Sequence, residues 1–195
     1  MNFNVETLPG WCTQEKAELL YNSVGRINSQ ISIELGVFGG RSLIPMALAH
    51  KQKGSGFAIG FDAYKGKVCA EGTNAEANNA WWMRQNMMEI YHNCIEAIEA
   101  HELGDFCSVV RMRSQDAGLL IKDNCVDILH QDSNHNWETI LAEVILWIPK
   151  VKVGGLWIAD DVLWTEAKDA YDKLPEYGLE LINDFVDWRV YKKVK

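Results

Sequence analysis

The chain has 195 residues, 48% hydrophobic and 24% charged, which suffices to bury the core of one globular domain and sets a single domain over 1–195 as the expectation. A formal charge of −8 at pH 7 excludes the basic footprint that phosphate-backbone binding requires, so no nucleic-acid partner is expected. No apolar run approaches the roughly 20 residues of a membrane span, and the start MNFNVETLPG lacks a basic region followed by an apolar one, so no membrane partner is expected.

In chain order, a leading helix is predicted from about Thr13 to Ile27. The stretch ISIELGVFGGRS follows, in which Ile31, Ile33 and Leu35 suit a strand, Gly36, Gly39 and Gly40 suit a tight turn, and Leu43, Ile44, Ala47 and Leu48 recur at helical spacing. This strand, turn and helix place a small-molecule site at the carboxyl end of a strand, where glycine admits close backbone approach and a helix N-terminus presents free N–H groups. GFAIGFD is the second strand, FCSVVRM the third, VDILHQD the fourth and GGLWIADD the fifth. Between the second and third, about 74–103 reads as one long helical insertion, with Met87, Tyr91, Cys94 and Ile98 on one stripe. Its start carries Trp81 and Trp82, which suit a substrate-pocket wall, a dimer face that would make a homo-oligomer, or plain core packing. Before the fifth strand, a helix face of Ile140, Leu141, Val144, Ile145 and Ile148 is ended by Pro149 and Gly154-Gly155. After Asp161 come a helix near Thr165 to Leu174 and two short runs, LELINDF and DWRVYKK, that can pair only antiparallel. The five cysteines are odd in number and lack CxxC spacing, as reduced thiols of a cytoplasmic protein would be.

Together these elements make an α/β fold with a mostly parallel seven-stranded sheet, helices on both faces and a C-terminal antiparallel hairpin. Phe38 stands where a G-x-G-x-x-G fingerprint needs glycine, which disfavours a nicotinamide-dependent oxidoreductase. What remains, E-x-G-x-x-x-G on Glu34, Gly36 and Gly40, resembles the class I S-adenosylmethionine-dependent methyltransferases and their Rossmann-like fold. More narrowly, ELGVFGGRS, GFDAYKG and LHQDSNHNWETILAEVILWIPKVKVGGLWIADD, in that order, resemble the methyltransferase domain 24 family, related to macrocin-type sugar O-methyltransferases.

The resemblance implies an S-adenosylmethionine cofactor. Gly36 and Gly40 would admit its amino-acid tail, the helix start near Ser42 would favour the tail carboxylate, and Glu34 would take the tail ammonium directly or through water. Asp62, at the end of the second strand, would accept both ribose hydroxyls, and Ser114, Gln115 and Asp116 would lie by the adenine, with a helix N-cap as the other reading of Ser114. Asp132, Asp160 and Asp161 should meet at strand ends. Crowded carboxylates repel unless protonated or bound to a cation, and relatives place a metal on the matching residues, so Mg²⁺ or another divalent cation is expected there. Relatives often carry D-G-D-H where this chain has D-S-N-H, with Asn134 in place of the second acid. Asp132 and His135 are the candidate catalytic residues, His135 taking the proton from an acceptor hydroxyl. The other histidines, His130 among them, read as surface or packing residues. The implied activity is O-methylation of a small hydroxylated acceptor, with a sugar or glycoconjugate foremost. A non-catalytic cofactor-binding or interaction module is the alternative from another class.

Overall fold

In the computed structural model, residues 3–195 are described. Helices and strands follow in the order α1 (Gln14–Arg26), β1 (Ile31–Leu35), α2 (Leu43–Lys53), β2 (Phe57–Asp62), α3 (Gly66–Cys69), α4 (Glu76–Arg84), α5 (Met87–Ala100), β3 (Cys107–Arg111), α6 (Ser114–Leu120), β4 (Val126–Gln131), α7 (Trp137–Trp147), β5 (Val151–Asp160), α8 (Thr165–Tyr171), β6 (Leu179–Asp184) and β7 (Trp188–Lys193). The seven strands form one sheet in the order β3-β2-β1-β4-β5-β7-β6. The first five strands in sequence pair parallel, whereas β7 pairs antiparallel with both β5 and β6. Strand order reverses direction between β1 and β4, the switch point at which open α/β sheets bind ligands.

Period-2 alternation decides which helices cover which face. Ile33, Leu35, Leu129 and Trp157 pack under α6, α7 and α8 with Ala117, Val144 and Tyr171. Ile128, Leu156 and Ile158 point the other way, into a core built with Ala17 and Leu20 of α1, Leu43 and Met46 of α2, and Cys94 and Ile98 of α5. Ser32 and Glu34 alternate with Ile33 and Leu35 and are also fully buried, so the α1 side of the sheet carries polar groups that need partners.

Two segments differ from the expectation. The insertion is not one helix: Gln85 is extended (ψ 137°), and Asn86 accepts from the Glu89 N–H at 3.3 Å to cap a new helix, while α3 and α4 precede the break. Asparagine competes with the helical backbone and starts helices rather than continuing them. β5 starts at Val151 rather than at Gly154, so Gly154 and Gly155 lie within the strand instead of ending the preceding helix. Val151 already pairs with Val126, and the register then shifts so that Leu156 faces Ile128, with Gly154 at φ +87° in the irregular stretch.

Gly36 shows how closely the loops are stacked, for at φ +83° an added Cβ would stand 1.9 Å from the Asp132 carbonyl oxygen. Gly36→Ala should therefore destabilise the fold by at least the ~1–3 kcal/mol of a left-handed non-glycine residue. Gly25→Ala, at an exposed position of α1 with nothing within 4 Å of its new Cβ, should be neutral or stabilise by up to about 1 kcal/mol. Urea unfolding of the two variants checks both, and equal midpoints would contradict the packing described.

Candidate active site

The loops after β1 to β5 converge on a cavity of about 760 Å³ at the switch point, within the usual range for small-molecule sites. Its walls include Gly36 and Phe38 after β1, Asp62 at the end of β2, Ser114 and Gln115 after β3, Asp132 to His135 after β4, and Asp160 and Asp161 at the end of β5. Glu34, Gly40, Ser42 and Asp116 are not on it. Asp116 is exposed on α6, where the one-residue step round the helix turns it away from the cavity that its neighbour Gln115 reaches.

Asp62 fastens two loops. Its Oδ2 accepts from the N–H groups of Val37 and Phe38, both at 3.0 Å, and its Oδ1 from that of Tyr64 at 2.6 Å. Burial pushes its carboxyl above the usual range, and those three donors work against the shift. Gly40 faces α5, where a Cβ would lie 2.9 Å from Cys94 Sγ, so packing rather than the cavity demands glycine there. The Ser114 hydroxyl neither caps α6 nor stays free. It donates to Oε1 of buried Glu143, whose Oε2 accepts from Ser133 at 2.6 Å and Gln131 at 2.7 Å.

Behind the cavity runs a buried polar chain. The Ser42 hydroxyl donates to Glu34 Oε1, and His130 Nδ1 lies 2.8 Å from the same oxygen. His130 Nε2 sits 3.1 Å from Asp160 Oδ2, and the Lys16 ammonium of α1 donates to both Asp160 oxygens, at 2.6 Å to Oδ1. Glu34 and His130 face each other in the β1–β4 register, and Asp160 extends the same face of β5 two residues beyond Ile158, the partner of His130. Burial alone would discharge His130, but its bonds to Asp160 and Glu34 prevail and raise the imidazole to about 10. Burial likewise opposes the charged form of Asp160, yet His130 and Lys16 hold its carboxyl far below the ordinary range. Asp132 has no such partner. Burial and the neighbouring charges of Asp160 and Asp161 push it well up.

Nearer the opening, His135 Nε2 lies 2.6 Å from Asp161 Oδ2, and the ring lies against Trp164 at 4.8 Å between centroids. Burial lowers the basicity of His135, but Asp161 outweighs it and raises the pKa. An aromatic wall stands across the cavity, with Trp11 5.1 Å from Phe38 and 5.4 Å from Trp81, and Trp82 joining them. Both Trp81 and Trp82 line the cavity wall, and Trp82, half-buried, also packs against the core, whereas Trp81 is exposed.

Residues 33–162 match the model of a methyltransferase domain family. The chain belongs to that family. Its fold is that of the class I S-adenosylmethionine-dependent methyltransferases. The O-methyltransferase NovP is similar in structure at TM-score 0.73 and 17% identity, over 93% of this chain and 79% of that one. An O-methyltransferase from Bacillus cereus, solved in complex with SAH, is similar at TM-score 0.70 and 16% identity, over 97% and 86%. The calicheamicin methyltransferase CalS11 is similar at TM-score 0.66 and 17% identity, over 91% and 77%. No curated protein is significantly similar in sequence.

The methyltransferase's cavity suits its cofactor in one respect and its expected metal poorly. Asp62 presents a half-buried carboxylate to the cavity, already oriented by three N–H donors. The three-aspartate cation site does not fit, because both oxygens of Asp160 are taken by Lys16, and one also by His130. Asn134 is unsuited as well. Its Nδ2 donates to the carbonyls of Val68, Cys69 and Glu71 at 3.0 to 3.3 Å, where an aspartate would set a carboxylate against three oxygens. Among the described residues, three other groups bring donor atoms within 4.8 Å of one another: Asp132, His135 and Asp161; Asp160, Asp161 and Asp187; and Glu34, His130 and Asp132.

His130 and Lys16 escaped the sequence reading, and each left a signal. Lys16 interrupts the apolar stripe of α1 one turn before Leu20, and His130 falls in register with Glu34 on the β4 face that also leads to Asp132. Asp187 in the β6–β7 turn also reaches the cavity, which its place in a hairpin gave no reason to expect. Below the ordinary imidazole value of about 6.5, folded and unfolded His130 are both protonated and its ion pairs contribute fully. Between about 6.5 and about 10 only the folded state keeps the proton, so stability should fall as pH rises through that window. Urea unfolding across it should show the loss, and His130→Gln should be less stable at low pH and lose part of the slope. Identical slopes in the two proteins would contradict a charged His130.

Proposed function

We propose that the chain transfers the methyl group of S-adenosylmethionine to a hydroxyl of a small-molecule acceptor, with a sugar or glycoconjugate as the foremost class. The observation that carries this is the convergence on one cavity of Asp62, the His135–Asp161 pair and the aromatic wall. When bound, the cofactor supplies an electrophilic methyl on a sulfonium. Asp62 would hold its ribose hydroxyls by charge-assisted bonds. Glu34 lies off the cavity wall and has a buried, unpartnered Oε2, which supports contact with the tail ammonium through water rather than directly. Gly36 would border the tail. Ser114 and Gln115 would line the adenine end, with the Ser114 hydroxyl committed to Glu143.

The acceptor would lie between His135 and the tryptophans. With Nε2 turned to Asp161, Nδ1 of His135 is the ring atom that takes the hydroxyl proton as the oxygen attacks the methyl, and Asp161 stabilises the resulting imidazolium. Asp132, beside them, is driven toward its neutral form and helps to orient the hydroxyl. Trp11 and Trp81 offer indole faces suited to the apolar side of a sugar ring and exclude water. Much of the acceleration would come from holding the two reactants in line. The nicotinamide reading is disfavoured further by Phe38 itself, whose backbone holds φ +48° while its ring belongs to the aromatic wall, where a pyrophosphate would need open backbone. The cysteines, all unpaired, support a cytoplasmic setting.

Calorimetry should show S-adenosylhomocysteine binding and no comparable response to NAD. Asp62→Ala should weaken the former by ~1.5–3 kcal/mol, the scale of lost charge-assisted bonds. Tight NAD binding without any adenosyl ligand response would overturn the assignment. In a panel of sugars and phenols assayed for conversion to S-adenosylhomocysteine, His135→Ala should slow turnover by about 10²–10⁴-fold with cofactor affinity retained. An unimpaired His135→Ala enzyme would remove the histidine from proton transfer.

A further inference from the structure

The acidic edge of the cavity brings Asp132, Asp160 and Asp161 to adjoining strand ends, and unneutralised carboxylates gathered so closely repel one another. In this chain the compensating charge comes from within. Lys16 reaches from α1 to the end of β5, where its side chain is only 7% exposed, and its ammonium spans both oxygens of Asp160. Lys16 also borders the cavity, next to Cys12 and opposite Asp132 and His135. A divalent cation on Asp160 would have to displace this ammonium, or share a carboxylate whose two oxygens already accept from Lys16, His130 and the Asp161 N–H.

We propose that Lys16 is the fixed cation of this active site, occupying the place of a divalent metal, so that methyl transfer proceeds without one. The inference rests on the methyl-transfer reading for its chemistry, but the cation claim stands on the geometry of Lys16 and Asp160 alone. A tethered ammonium supplies one positive charge of constant position. It therefore acts as a positioning residue: it holds Asp160, and through it His130, while leaving Asp132 and the His135–Asp161 pair to face the acceptor. Asn134 beside them is committed elsewhere, its Nδ2 donating to three carbonyls and its Oδ1 accepting from the Asn136 N–H.

The test uses the full chain stripped with a chelator and titrated with Mn²⁺, free ion being read by electron paramagnetic resonance. The wild type should show no saturable site at millimolar Mn²⁺ and should turn over equally with and without chelator. Lys16→Met removes the ammonium and keeps the bulk. It should gain a saturable Mn²⁺ site, roughly tenfold or more tighter than any wild-type binding, which Asp160→Asn in the same chain abolishes. A merely structural lysine would not produce that gain. Saturable wild-type binding, whether or not Asp160→Asn weakens it, would overturn the proposal, as would a folded Lys16→Met chain with no Mn²⁺ site. If Lys16→Met does not fold, the wild-type isotherm together with that of Asp160→Asn decides. S-adenosylhomocysteine calorimetry on the same samples separates the two readings: absent binding overturns the methyltransferase assignment, whereas the Mn²⁺ comparison still decides the role of Lys16.

Discussion

The ion pair between Lys16 and Asp160 is the contact on which the other parts of the site depend. A lysine and an aspartate taken out of water each lose several kcal/mol of hydration, which their mutual attraction offsets only if the remaining bonds are made. Here all but one are made: Asp160 also meets His130, His130 meets Glu34, and Glu34 meets Ser42 at the start of α2, with Glu34 Oε2 left unpartnered. One run of charge thus ties α1, β5, β4, β1 and α2 at the carboxyl ends of the strands. Removing Lys16 would leave the buried Asp160 carboxylate short of its main cation, a loss typically worth about 3–5 kcal/mol. The chain is therefore held as a unit, and α1 with Trp11 and Cys12 ahead of it is fixed against the cavity.

That fixed floor lets the loops above it serve chemistry. Asp62 joins the turn after β1 to the end of β2, Glu143 joins the loops after β3 and β4, and Asn134 joins the β4 loop to α3. Each loop that borders the cavity is bonded to another, so the cofactor end of the cavity is preorganised rather than assembled by the ligand. The acceptor end is built differently. It is formed by Trp11, Phe38, Trp81 and Trp82, of which Phe38 and Trp82 pack partly on the core while Trp11 and Trp81 are exposed, so its outer aromatic faces are open to an acceptor.

Much of this was legible before the fold was seen. Alternating apolar runs gave the strands because buried parallel strands need them, and the shortness of the link between LELINDF and DWRVYKK forced the hairpin. The acids at Asp132, Asp160 and Asp161 could be placed at one edge because each ends a strand. What could not be read was compensation. A sequence shows that carboxylates gather, but whether a metal or a lysine answers them depends on a side chain 144 residues away in the chain, on a helix whose stripe looked merely imperfect. The same limit explains Gly40 and Ser42. Their spacing suits a ligand turn equally well whether they face a cofactor or, as here, Cys94 and Glu34.

The central claim is that the chain neutralises its own acidic edge and leaves the cavity to the cofactor and acceptor. A crystal structure grown with S-adenosylhomocysteine and excess Mn²⁺, with anomalous data collected for manganese, tests it most directly. The account predicts S-adenosylhomocysteine with its ribose on Asp62, the Lys16 ammonium on both oxygens of Asp160, and no anomalous peak among Asp132, Asp160 and Asp161. A manganese peak bridging Asp132 and Asp160, with Lys16 turned away, would contradict it.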